Sequence, residues 1–173
     1  MTGARINVVL DDKDYLAALT RFGGVLHTGV PKAIGVALVK QTQKRFDTGV
    51  DVEGTAWQAL SPGYAAIKQG PGILRASRML QRSITSKVEG LRIAVGSNRI
   101  YAAVHQFGAT IKPVRAPALA FQVGVEGPEG DIHKAFVHVK SVRIPQRPYL
   151  GFGPNDRRAV MEVLTVTARS VFE

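Results

Sequence analysis

Two stretches decide the fold: Tyr101-Ala-Ala-Val-His-Gln-Phe-Gly108 and, further along, Ile144-Pro-Gln-Arg-Pro-Tyr-Leu-Gly151. In the first, Tyr101, Val104 and Phe107 recur at helical spacing and Gly108 stands where a short helix stops. That spacing predicts a helix with one face packed inward while His105 and Gln106 point elsewhere. In the second, Pro145 and Pro148 stiffen an extended segment and hold Arg147 between them. They deliver Tyr149 and Leu150 to a surface just before a new helix, so the segment is expected to be a docking strip. Two uses stay open for Arg147: a buried bond to loop carbonyls, or a contact with a neighbouring subunit.

Working outward, Ile6–Leu10 is expected to be a strand and Lys13–Phe22 a helix closed by Gly23-Gly24. The clearest helix runs from Pro31 to about Phe46, with Ile34, Leu38, Val39 and Phe46 at three- and four-residue steps. Residues 47–72 carry glycine at 49, 54, 63, 70 and 72 and proline at 62 and 71, the composition of an ordered loop. Trp57 sits in it; an anchor is expected in preference to a ligand platform, because a large buried ring pins an irregular segment.

Ser77–Ser83 is expected to be a short helix turning Met79, Leu80 and Ile84 inward. Alternating runs at Ile84–Val88 and Leu91–Val95 around Glu89-Gly90 predict a β-hairpin. A second pair, Leu119–Val125 and Ala135–Val142, flanks the tip Glu126-Gly-Pro-Glu-Gly-Asp131, whose Glu126, Glu129 and Asp131 meet no base within those six residues. From Asn155 to Phe172 a last helix is predicted, capped by Asn155 or Asp156, with Val160, Val163, Leu164, Thr167 and Val171 facing the helix that begins at Pro31. Together these elements predict an α+β fold. It comprises a small, mainly antiparallel sheet packed against two or three helices, with a long protruding β-hairpin, in a single domain over 1–173 whose first thirty residues are least defined.

A chain of 173 residues with 45% apolar composition buries roughly two-thirds of its unfolded surface in one core. No run approaches the roughly 20 apolar residues that span a bilayer, and the N-terminus lacks a basic-then-apolar signal pattern, so no membrane association is expected. With no cysteine, and with histidines scattered at 27, 105, 133 and 138, neither a structural metal nor a cofactor is expected.

The net charge is +10. Between Gly54 and Val125 it comes from nine bases, among them Arg75, Arg78, Arg82, Lys112 and Arg115, against the single acid Glu89. Such an excess serves either an acidic protein neighbour or sequence-independent contact with DNA phosphates. The acidic hairpin tip and the basic body together suit a head-to-tail contact between copies. His105 is either a structural histidine bonded to a backbone carbonyl or, with Gln106, an interface residue; catalysis would need a nucleophile or carboxylate beside it, and none stands near in the sequence.

Further residues carry a resemblance: Arg45-Phe46, Gly49-Val50-Asp51, Gly54-Thr-Ala-Trp57, Leu60-Ser61-Pro62, Ile73-Leu74, Leu80, Ser83-Ile84 and Val95-Gly96-Ser97, followed by the two opening motifs. In this order and spacing, from about residue 31 to the end, the chain resembles the virion-morphogenesis family of tailed, Mu-like bacteriophages, the tail-completion or head-tail joining proteins. It departs from the usual pattern at Asp51-Val52-Glu53-Gly54, where Asp-Pro-x-Gly is common, and at Ala56, where Pro is common. The resemblance implies a non-enzymatic virion protein of the neck or tail end, made in the host bacterial cytoplasm. It implies a ring of identical copies, a hexamer being one candidate. The implied partners are connector, stopper, tail-terminator and tail-tube proteins. A basic module contacting packaged DNA and a capsid-assembly factor are the alternatives. On this view His105, Gln106, Phe107, Gly108, Glu126, Glu129, Asp131, Pro145, Arg147, Pro148, Tyr149 and Leu150 are the interface candidates.

Overall fold

A computed structural model describes residues 29–172, so the expected first strand and helix lie outside the described residues. The architecture is α+β. Helix α1 spans Val30–Thr48, with Pro31 in its first turn, and ends at Gly49, whose φ of 70° lets its N–H return to Arg45 O at 2.8 Å. The last helix, α5, spans Pro154–Phe172 and packs along α1 as expected. Val160 and Leu164 are buried and Val163 packs against the core, while the Val171 side chain is outside the described residues.

Between them come α2 (Pro62–Ile67), α3 (Met79–Arg82), β1 (Ile84–Glu89), β2 (Arg92–Ser97), α4 (Ala102–Phe107), β3 (Ala109–Ile111), β4 (Leu119–Glu126), β5 (Ile132–Val139) and β6 (Val142–Ile144). The strands form three two-stranded antiparallel ribbons instead of one sheet: β1 with β2, β3 with β6, and β4 with β5. The first ribbon is the hairpin expected around Glu89-Gly90, in register from Ile84↔Ser97 to Glu89↔Arg92. It lies on α1, and its buried Ile84, Ile93 and Val95 join Ile34, Leu38 and Phe46 in the core. Close approach is possible because Gly35 has no side chain: a Cβ there would lie 2.8 Å from Ser86 Oγ.

The region 47–72 is ordered, as expected, and contains helix α2, which the density of glycine and proline concealed. Trp57 is an anchor: its ring is buried edge-on against Phe46, with centroids 5.6 Å apart, and its Nε1–H donates to Pro148 O at 3.0 Å. In α3, Leu80 points inward but Met79 is 46% exposed, contrary to expectation. A four-residue helix has room for only one inward direction, and Leu80 with Gln81 takes it.

The β4–β5 ribbon pairs over eight residues a side, from Leu119↔Val139 to Glu126↔Ile132, and packs on α2. No residue of either strand is fully buried. A two-stranded ribbon of this kind is marginal in water without further cover. Among the described residues, no helix is long and apolar enough to cross a membrane.

Candidate functional site

The two opening motifs meet. Gly108 ends α4 with a φ of 73°, a left-handed value that favours glycine, and a Cβ there would lie 2.9 Å from Gln146 N and 3.0 Å from Ile144 O. Immediately after it β3 pairs with β6, in the register Ala109↔Ile144, so β6 runs straight into the proline-rich strip beside α4. The whole β4–β5 hairpin is inserted between these two paired strands.

Residues 147–150 belong to no helix and no ribbon, so their backbone must find partners elsewhere. Side chains supply most of them. Gln106 Oε1 accepts from the N–H groups of Tyr149 (3.0 Å) and Leu150 (2.9 Å), while Gln106 Nε2 donates to Leu150 O at 3.0 Å. Arg45 Nη1 donates to Tyr149 O at 3.0 Å, Trp57 holds Pro148 O, and Arg147 N–H reaches His105 O at 2.7 Å. The Tyr149 hydroxyl donates to Ala102 O at 3.0 Å. Burial first, and then the nearby Tyr101, push the Tyr149 phenol far above its ordinary pKa.

These contacts correct the docking-strip expectation. Tyr149 and Leu150 are core residues, not surface anchors: Tyr149 is 0% exposed and its ring packs tilted on Phe46 with centroids 4.9 Å apart. The prolines aim the chain inward because Gln106 and Arg45 wait there with the hydrogen bonds an unpaired strand needs. The face of α4 is likewise reversed. Ala102 and Gln106 are its buried residues, whereas Phe107 is 61% exposed. Arg147 is buried, and of its two open uses the loop bonds are the observed one: Nε donates to Gln58 O at 2.9 Å and an Nη to Ala59 O at 3.1 Å.

The strip is tied to both long helices. Arg45 of α1 forms a buried ion pair with Asp156 of α5. Asp156 Oδ2 also accepts the Gly153 N–H at 2.8 Å, one half of a capping box, with Pro154 opening the helix. The expected cap at Asn155 or Asp156 is therefore displaced: Gly153 precedes the helix and Asp156 reaches back from its first turn. Gly153 itself is required by a close approach, since a Cβ would lie 2.2 Å from Val52 O.

His105 is half-buried, and its Nδ1 is buried with no hydrogen-bond partner, so the expected carbonyl bond is not formed by that atom. Burial, and then the charge of Arg147, lower its pKa below the ordinary 6.5. Its ring meets Tyr101 edge-on at 6.0 Å. The Tyr101 ring thus gives the imidazole an apolar packing partner while burial and the Arg147 guanidinium disfavour its protonated form.

Of the basic candidates, Arg78, Arg82, Lys112 and Arg115 are exposed. Arg75 is folded onto α1, its Nη2 being 3.1 Å from Asp47 Oδ1, and is not free to form part of a basic face. In the acidic tip Glu126, Glu129 and Asp131 are exposed, and Asp131 pairs with His133 of its own hairpin.

Beside the buried strip lies a cavity of about 950 Å³. It is bounded by the 58–62 loop, α2, the 74–80 segment, α4 and the roots of β4 and β6. Its walls include Leu60, Leu119, Phe121, Val123 and Ile144, and its charged lining residues are Lys68, Arg143 and Arg147 without an acid among them. Sequence reasoning did not single it out, because its walls come from segments that alternation and periodicity treat separately.

The chain matches the phage virion morphogenesis family over residues 13–167. It is also similar to the putative capsid assembly protein G of Escherichia phage Mu, with 28% identity over 166 residues, covering 92% of this chain and 91% of the Mu protein. No solved structure matches it. The ordered motifs, the interlocked strip they build and the extent of the family match agree: the chain belongs to the phage virion morphogenesis family, and its role is in building the phage particle.

Proposed function

We propose that this chain is a non-enzymatic structural protein of the tail or neck end of the virion, forming a ring that completes the tail or joins it to the head. The observation that carries this reading is where apolar surface remains outside. Nine of the fifteen large apolar side chains exposed among the described residues fall between Ile100 and Phe136, including Val114 at 95% and Phe136 at 67%. Concentrated exposure of that kind marks a surface that is covered in an assembly. The core, by contrast, is closed by polar residues bonded to backbone, so α4 and the strip present a rigid base for whatever the exposed segments touch. Partners on this reading are further copies of the chain and neighbouring connector, stopper, tail-terminator or tail-tube proteins.

The Mu relative is named a putative capsid assembly protein, which favours a second reading, a factor for assembly of the capsid. Electron microscopy of lysates made without this chain separates the two. Filled heads and tails that stay unjoined, or tails with unfinished ends, are expected. Failure to make normal heads would instead support the capsid factor.

A further inference from the structure

We infer that the cavity beside the buried strip is the seat for the β4–β5 hairpin tip of a second copy, which deepens the ring reading and rests on it. The tip is a preformed knob. Gly127 N–H donates to Asp131 O at 2.8 Å and Gly130 N–H to Gly127 O at 3.0 Å, and Asp131 is tied to His133, so little ordering is lost on binding. It presents Glu126 and Glu129 with exposed Val125 and Ile132 behind them, and Ile132 is the cross-strand partner of Glu126. The cavity offers the complement: apolar walls, an exposed Arg143 and no acid.

The tip cannot occupy its own chain's seat. The hairpin residues that line the cavity are Leu119–Val123, at the root, and at about 3.4 Å per residue Glu126 stands roughly 10 Å further along the strand. A knob on one surface and a socket on another make a heterologous contact, which propagates around an axis until it closes. The same contact covers the ribbon that the isolated subunit leaves half-exposed.

The chain has no cysteine, so an introduced pair reports this contact alone. Particles carrying Ala59→Cys, at an exposed position of the socket, together with Pro128→Cys, in the tip, are oxidised mildly and run without reductant. A ladder extending beyond dimers is expected for the double variant only, with each single variant remaining monomeric. Dimers alone, or monomers from particles whose wild-type chain is present in many copies, would overturn the seat while leaving the ring standing. A wild-type chain absent from the particle, or present as one copy, removes the ring itself. As a second readout, Glu126→Lys with Glu129→Lys is expected to lower particle yield about tenfold or more, and Arg143→Glu to restore part of it. Purely additive losses would remove the charge match.

Discussion

The side-chain amide of Gln106 grips Leu150 by both backbone groups, accepting its N–H at 2.9 Å and donating to its carbonyl at 3.0 Å. A side chain here replaces the neighbouring strand that an extended segment ordinarily requires. The two motifs that stand apart in the sequence are in this way one structural unit, and the first prediction concerns its strength. Gln106→Ala leaves three buried backbone groups without partners, and a loss of about 2–4 kcal/mol is expected from the cost of stranding such groups. Denaturant unfolding measures it. A loss below about 1 kcal/mol would mean that water replaces the amide without penalty.

The buried pair between Arg45 and Asp156 joins the two long helices, and each partner has further work, Arg45 on Tyr149 O and Asp156 on Gly153 N–H. Asp156→Ala is expected to cost about 3–5 kcal/mol, because it strands a buried guanidinium. Combining it with Arg45→Met should cost clearly less than the sum of the single changes. Additive losses in the double-mutant cycle would show that the two residues act separately.

Burial separates the two motifs' apolar residues, with Tyr149 and Leu150 of the strip in the core and Phe107 at the end of α4 exposed. Tyr149→Ser with Leu150→Ser should unfold the subunit, since both side chains are in the core. Phe107→Ser should keep stability within about 0.5 kcal/mol of the parent and yet impair incorporation into particles. Circular dichroism paired with particle incorporation tests both. Normal incorporation of the Phe107 variant would remove that residue from the interface.

His105 gives the fold a pH dependence of known sign. Its folded pKa lies below 6.5, lowered by burial and then by Arg147, so below that value the unfolded chain binds the proton more readily. Its contribution is present above pH 6.5 and is lost progressively as pH falls through the folded pKa. Thermal melts from pH 7.5 to 5 should show a decline that is shallower in His105→Asn. Identical slopes in the two proteins would place the titration elsewhere.

Much of the architecture was legible in the sequence, and the failures have a common cause. The α1 and α5 helices, the hairpin at Glu89-Gly90, the long hairpin and the anchoring role of Trp57 follow from periodicity, turn chemistry and ring size. The α4 face and the strip were inverted because apolar spacing assigns Tyr101, Val104 and Phe107 to the interior and treats Gln106 as outward, while for Arg147 it leaves the buried bond and the subunit contact equally open. Gln106 and Arg147 are buried because they satisfy backbone groups of segments far away in the chain, a demand that no local pattern displays. Arg75 was counted in the basic face for the same reason, its partner Asp47 being at the end of α1. The cavity, whose walls come from several separate segments, left no trace in any one of them.

A density map of the tail end of the purified particle tests the central claim most directly. The chain should appear there as a closed ring of identical copies, each hairpin tip inserted between the 58–62 loop and α4 of the next. Its absence from that position, or its presence only in the capsid shell, would contradict the tail-end ring and leave the assembly-factor reading in its place.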